Sequence, residues 1–252
     1  KFWPADVHLI GKDILWFHAV YWPAMLMSAG IPVPKKLFAH GWWTIEGEKI
    51  SKTTGNAINV DELISIAGLD SARYFLFREV PFGEDGDFSK DKLIERHNNE
   101  LADKLGNLVS RVSALAEKYG VEKFDVKKSQ KFATLSRIKN EGKNSEEEVT
   151  FGNLDKILSD VGDKIDKYFD NFEFDKALNE IFAFIDSCNE YVQEKKPWET
   201  HDKKVLYELV EAIRKINFYL APFMPETSEK IAKIFKGDKI KKAEPLFVKI
   251  GK

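Results

Sequence analysis

Between residues 90 and 236 apolar side chains return every three or four positions, the period of helices that bury one face. Ile94, Leu101, Leu105, Leu108, Val112, Leu115 and Tyr119 make one stripe, opened by Ser89 as a cap and closed by Gly120. Leu154 to Phe169, Ala177 to Val192, Val205 to Leu220 and Pro225 to Lys236 predict four more helices. Lys195-Lys196-Pro197 and Pro222 stop the middle two, and Gly237 follows the last. Five helices joined mostly by short links predict a bundle. The charge-crowded stretch from Val121 to Thr150 predicts a mobile connection with at most marginal helix. No internal repeat is visible.

The first ninety residues read differently. Asp6 to Ile10 suits a short strand, and Gly11-Lys12-Asp13 a turn with Asp13 as N-cap. Ile14 to Met27 suits a helix, with Ile14, His18, Tyr21 and Met25 on one face. Leu37 to Ile45, aromatic and β-branched, predicts a second strand. Strand, glycine turn, helix, strand is a βαβ unit and implies parallel pairing. So few strands suggest a fragment whose sheet begins upstream. Asn59 and Asp70 are expected to cap short helices over Val60–Ala67 and Ser71–Val80, before a turn-rich link at FGEDGDFS.

Composition narrows the class. Of 252 residues, 43% are hydrophobic and 32% charged, enough for a core and too charged for a membrane span. No secretory signal pattern opens the chain, and one cysteine, Cys188, excludes a disulfide framework or a multi-cysteine zinc site within it. A cytoplasmic setting is the default expectation. Thirty-nine basic against 41 acidic residues give a formal charge of −2, so any contact with nucleic acid must be local.

Two places carry candidate chemistry. Lys49-Ile50-Ser51-Lys52-Thr53 offers two ammonium groups three residues apart, able to neutralise charge on a departing pyrophosphate. Spacing alone leaves a solvated turn open, and the glycines of a Walker loop are missing. Gly11 and Asp13, at a strand end and a helix start, suit close approach of a nucleotide and hydrogen bonds to ribose hydroxyls; a plain N-cap is the other reading of Asp13. His8-Leu9-Ile10-Gly11 lacks the last histidine of a His-x-Gly-His signature.

The strings IGKDILWFH, WPAML, LFAHGWW, EKISKTTGN, DSARYFLFRE, GNLVSR and EKKPW, in this order, resemble the methionyl-tRNA synthetases, class I aminoacyl-tRNA synthetases, over essentially the whole chain. Lys49 to Thr53 resembles the family's Lys-Met-Ser-Lys-Ser signature, with Ile50 and Thr53 departing conservatively. The family's His-x-Gly-His signature and zinc-bearing insertion have no counterpart here. The resemblance implies an α/β remnant of a Rossmann-like class I catalytic domain followed by an all-α anticodon-binding helix bundle, mainly α overall. Its boundaries would be residues 1–55 for the catalytic remnant with the lysine loop, 56–92 for a linking fold that touches the inner corner of the tRNA, 93–236 for the bundle and 237–252 for a tail.

The same resemblance implies residue roles. Lys49 and Lys52 would act in catalysis, and Gly11, Asp13, His40, Lys49, Ser51 and Lys52 in binding ATP. Ile14 and His18 would belong to the methionine pocket. Asn107 and Arg111, four apart on the polar face of the first bundle helix, would read the CAU anticodon together with Trp198, the only tryptophan beyond residue 43. Splayed RNA bases are bound by aromatic stacking and edge hydrogen bonds, which these side chains supply. ATP with Mg²⁺, methionine and tRNA(Met) are the implied cofactor and partners. No metal site is expected in this chain, zinc belonging to an absent N-terminal part. The parent would be a methionine–tRNA ligase, and this piece of it inactive alone. A dimerising C-terminal appendix in the parent is open. Alternatives are an isoleucyl-, leucyl-, valyl- or cysteinyl-tRNA synthetase, or a non-catalytic tRNA-binding module.

Overall fold

The structure is a computed structural model describing residues 3–45, 47–50, 59–81, 83–121, 134–135, 149–150, 154–237 and 239–251; of Lys49, residues 134–135 and 149–150, and residues 154–159, it describes the main chain only. Strand β1 (His8–Gly11) pairs in parallel with β2 (Leu37–His40), His8 opposite Leu37 and Gly11 opposite His40. Between them runs a helical crossover: a 3₁₀ turn at Lys12–Ile14, a π-helical turn at Phe17–Tyr21 and α1 (Trp22–Ser28). This is the expected βαβ unit. Gly11, not Asp13, occupies the cap position, and the crossover is not one uniform α-helix. Ile14, Tyr21 and Met25 lie on an exposed face rather than in a core.

The strand expected over 37–45 divides. At Gly41 the chain leaves β2, and β3 (Trp43–Ile45) joins another sheet. It lies between β4 (Glu48–Lys49), antiparallel to it, and β5 (Gly86–Phe88), parallel to it. The cause is a close backbone approach, since a Cβ on Gly41 would stand 2.1 Å from the Glu84 carbonyl oxygen. Helices α2 (Val60–Ala67) and α3 (Leu69–Arg78) connect the two parts of this sheet. Asn59 caps α2 as expected, accepting from the Glu62 amide at 2.7 Å. Leu63, Ala72, Phe75, Phe88 and Leu93 form a small core under it, with Trp43 and Ile45 packed alongside.

A single helical rod follows: α4 (Lys90–Arg96), a π-helical stretch His97–Gly106, and α5 (Asn107–Tyr119). The wider π turns shift the buried face. Leu93 therefore points into the small core, while Leu101, Leu105, Leu108 and Val112 enter the large one. Of the connection expected from Val121 to Thr150, the described residues beyond Val121 are two short strands, β6 (Thr134–Leu135) antiparallel to β7 (Val149–Thr150); the rest lies outside the described residues.

The bundle is completed by α6 (Leu154–Asp170), α7 (Phe174–Lys195), the short α8 (Pro197–Thr200), α9 (Lys203–Leu220) and α10 (Pro225–Ile234). Its core draws Leu178, Ile181, Ile185, Leu209, Ile213, Ile216 and Phe223 together. Asp70, expected to cap its own helix, instead reaches α10. Its buried carboxylate accepts from the Thr227 amide at 2.6 Å, supplying the cap that Met224 at the N-cap lacks. Arg73 donates to the Phe223 and Pro222 carbonyls, and Arg96 bridges Glu79 and Glu100. These polar bolts seat α3 on the bundle.

The tail returns along the rod. Ala243 donates to the Ser113 hydroxyl, His97 donates from Nε2 to the Val248 carbonyl while Nδ1 accepts from Ser71, and Asn98 pairs with both backbone groups of Ile250.

Candidate functional site

Gly11 and His40 are opposite one another at the carboxyl ends of two parallel strands, the position where open α/β sheets hold ligands. Asp13 folds back over Gly11: a Cβ there would meet its Oδ1 at 2.4 Å and the His40 ring at 3.8 Å. Gly11, Asp13 and His40 thus form one cluster. The His40 Nδ1 donates to the Gly41 carbonyl at 2.8 Å. Ile14 and His18 also meet, through a 3.0 Å contact from His18 Nδ1 to the Ile14 carbonyl, and the His18 ring stands edge-on to Trp22.

Two acidic residues that the sequence does not single out organise this region. Asp85 binds the Lys12 ammonium at 2.6 and 2.5 Å and accepts from the Trp42 amide. The Lys12 hydrogen bond, with the Trp42 amide, holds its carboxyl below the usual range. Lys12 also lies 4.4 Å from the centroid of the Trp42 ring. Asp87 accepts from Thr44 Oγ1 at 2.6 Å and from the Gly47 amide at 2.8 Å, clamping the β3–β4 hairpin. The lysine motif leaves that hairpin: the Lys49 main chain on β4 pairs with Thr44 on β3, while Ser51 and Lys52 lie outside the described residues.

The second cluster is on the bundle. Asn107 opens α5 with its side chain exposed, and Arg111 follows one turn later. The Arg111 guanidinium lies 5.6 Å from the Trp198 ring centroid. With the Gln193 amide oxygen turned toward it, Arg111 donates to Gln193 at 3.1 and 3.2 Å. Partial burial pulls the guanidinium pKa down from its usual value. Trp198 is half-buried, packed at the edge of the bundle core on α8. Left-handed residues bracket that helix, Lys196 with φ 42° and His201 with φ 52°. The structure brings Arg111 and Trp198 into contact. Gln193 had no sequence signal beyond its place one turn before Pro197.

Comparison with known proteins gives the two halves of the chain a common setting. Residues 1–113 match the family profile described as tRNA synthetases class I (M), and residues 154–249 match the anticodon-binding domain of tRNA ligase. The chain is 43% identical over 239 residues to a methionine–tRNA ligase of Caldanaerobacter subterraneus subsp. tengcongensis, covering 92% of this chain and 35% of that one. It is 41% identical over 240 residues to the methionine–tRNA ligase of Rickettsia felis, covering 92% and 44% respectively. The fold is similar to Mycobacterium tuberculosis methionyl-tRNA synthetase bound by methionyl-adenylate, with a TM-score of 0.77 and 33% identity over 93% of this chain and 45% of that one. The fold is that of a class I aminoacyl-tRNA synthetase, with its helical anticodon-binding domain. Within that class, the chain belongs to the methionyl-tRNA synthetase family. It spans between about a third and under half of the length of these curated relatives.

Among the described residues no helix is long and apolar enough to cross a membrane, and no group of three or more His, Cys, Asp or Glu side chains converges as a metal site.

Proposed function

We propose that this chain is the C-terminal portion of a methionine–tRNA ligase, with residues 1–55 contributing to the catalytic crevice, 56–92 linking it to the bundle and 93–236 reading the anticodon. The methionine carboxylate attacks the α-phosphate of ATP, forming methionyl-adenylate and releasing pyrophosphate. The tRNA's terminal adenosine hydroxyl then attacks the adenylate carbonyl and releases AMP. Gly11 lets the nucleotide approach the strand ends, and Asp13 accepts hydrogen bonds from its ribose. His40 stands beside them near the phosphates, where Ser51 adds a hydroxyl. Lys49 and Lys52 neutralise charge as pyrophosphate leaves. A magnesium ion would be held chiefly by the nucleotide's own phosphates. Ile14 and His18 line part of a largely apolar methionine site, suited to a thioether with little hydrogen-bonding capacity. Asn107, Arg111 and Trp198 bind the anticodon of tRNA(Met).

The observation that carries the reading is the Arg111–Trp198 contact: a planar cationic fork held against an aromatic face beside an exposed asparagine amide. The test uses the full-length protein. Lys52→Ala should slow methionine-dependent pyrophosphate exchange by about a hundredfold or more with methionine affinity unchanged. Arg111→Ala should leave exchange intact while raising the KM for tRNA(Met) by at least about tenfold. Exchange at wild-type speed in the first variant, or an unchanged tRNA KM in the second, would refute the corresponding assignment.

A further inference from the structure

Beyond Arg111 and Trp198 the corner continues into a second aromatic group. Tyr119, the last residue of α5, donates its hydroxyl to the Trp198 carbonyl at 3.3 Å. Its ring stacks on the His201 imidazole with centroids 4.3 Å apart and planes 24° from parallel. His201 is exposed, and its ring belongs to neither hydrophobic core. The structural duty at this position falls to the backbone: the His201 amide donates to the Pro197 carbonyl and closes α8. Glycine or asparagine would do this with less strain at φ 52°. The turn itself therefore does not require the imidazole, an exposed aromatic surface carried at a backbone cost, the pattern seen where strain serves a site. The Lys118 ammonium lies 5.0 Å from the Tyr119 ring centroid, the exposed Lys203 follows the corner in sequence, and Lys196 before it lies 3.7 Å from Glu199.

We propose that the stacked Tyr119–His201 pair is a second base-binding platform, taking the ribonucleotide that flanks the three anticodon bases. The proposal rests on the anticodon reading of Arg111 and Trp198 and extends it by one nucleotide. One imidazole face lies on Tyr119, so the base stacks on the other. Every base has such a face, so the platform adds affinity without choosing among bases. Stacking on the phenol fixes the imidazole in advance, which reduces the ordering cost on binding. Lys118 is placed for the adjoining phosphate.

The test measures binding of the 252-residue chain to RNA hairpins whose loop carries CAU, with single abasic positions scanned through the loop. His201→Asn keeps the left-handed backbone and removes the ring. It should bind the CAU hairpin about tenfold more weakly while keeping the wild-type ratio between CAU and a changed anticodon. In the wild type, one abasic position next to the anticodon should cost a similar factor, and in His201→Asn that penalty should vanish. His201→Gly, which relieves the strain, should behave like His201→Asn, separating ring loss from misfolding. Wild-type affinity in both variants, or an unchanged abasic penalty, overturns the platform. Trp198→Ala separates the two ideas. If it still weakens binding and erases the CAU preference, the anticodon reading stands without the platform; if it changes nothing, that reading falls and the platform with it.

Discussion

Glu208 is the residue whose surroundings set the clearest test of chemistry by pH. Its side chain is buried between α7 and α9, accepting from the Tyr191 hydroxyl at 2.5 Å. Burial pushes its carboxyl above the ordinary glutamate value, although the Tyr191 hydrogen bond favours the ionised form. An acid with a raised folded-state pKa binds its proton more tightly folded than unfolded. Its stabilising contribution is complete below the unfolded pKa and is lost as pH rises through the folded one. Glu208→Gln cannot ionise, so it should gain stability relative to the wild type as pH rises from the ordinary glutamate range toward neutrality. Urea denaturation across that range measures this, and a difference independent of pH would contradict it. Trp198 follows Tyr191 by seven residues, so the same pair fixes the end of the helix that leads into the reading corner.

At the scale of elements, α10 depends on a group from another helix. Asp70→Ala removes the acceptor from the Thr227 amide and should destabilise the protein by about 1–3 kcal/mol, with little change for the exposed Glu62→Ala. Chemical denaturation of the two variants compares them, and equal stability would show that α10 needs no such cap. The contrast explains what the sequence could reveal. Asn59 was legible because its partner lies three residues away. Asp70 was not, because its partner lies 157 residues away. The bundle helices were legible in their 3.6-residue period and proline stops, whereas the change of sheet at Gly41 leaves an unbroken β-like pattern in LFAHGWWTI. In the crevice, Gly11 and Asp13 could be read from strand-end position, but Asp85 and Asp87 act through partners about forty residues or more distant. Trp198 stood out as a lone tryptophan and Arg111 only through the family resemblance; Gln193 and the Tyr119–His201 stack exist only once α5, α7 and α8 converge.

For the whole molecule, the least balanced surface is the crossover between β1 and β2. Leu15, Trp16, Phe17, Val20, Tyr21, Met25 and Met27 are all exposed, Trp16 to 63% and Met25 to 68%. A concentration of exposed apolar side chains of this kind drives association in water. The isolated chain should therefore self-associate with rising concentration, and replacing Trp16 and Phe17 together by serine should shift it toward monomer. Sedimentation velocity over a concentration series reads this directly; indistinguishable profiles would rule out the patch as the cause.

The returning tail pairs its Ile250 with Asn98 across 152 positions of chain. Such closure makes the polypeptide a loop rather than a line. Residues 243–250 cannot fray singly, since releasing them bares His97 and Ser113. Trimming this end would therefore register deep inside the molecule, loosening the seat of the linking helices well before any loss at the tip itself became visible.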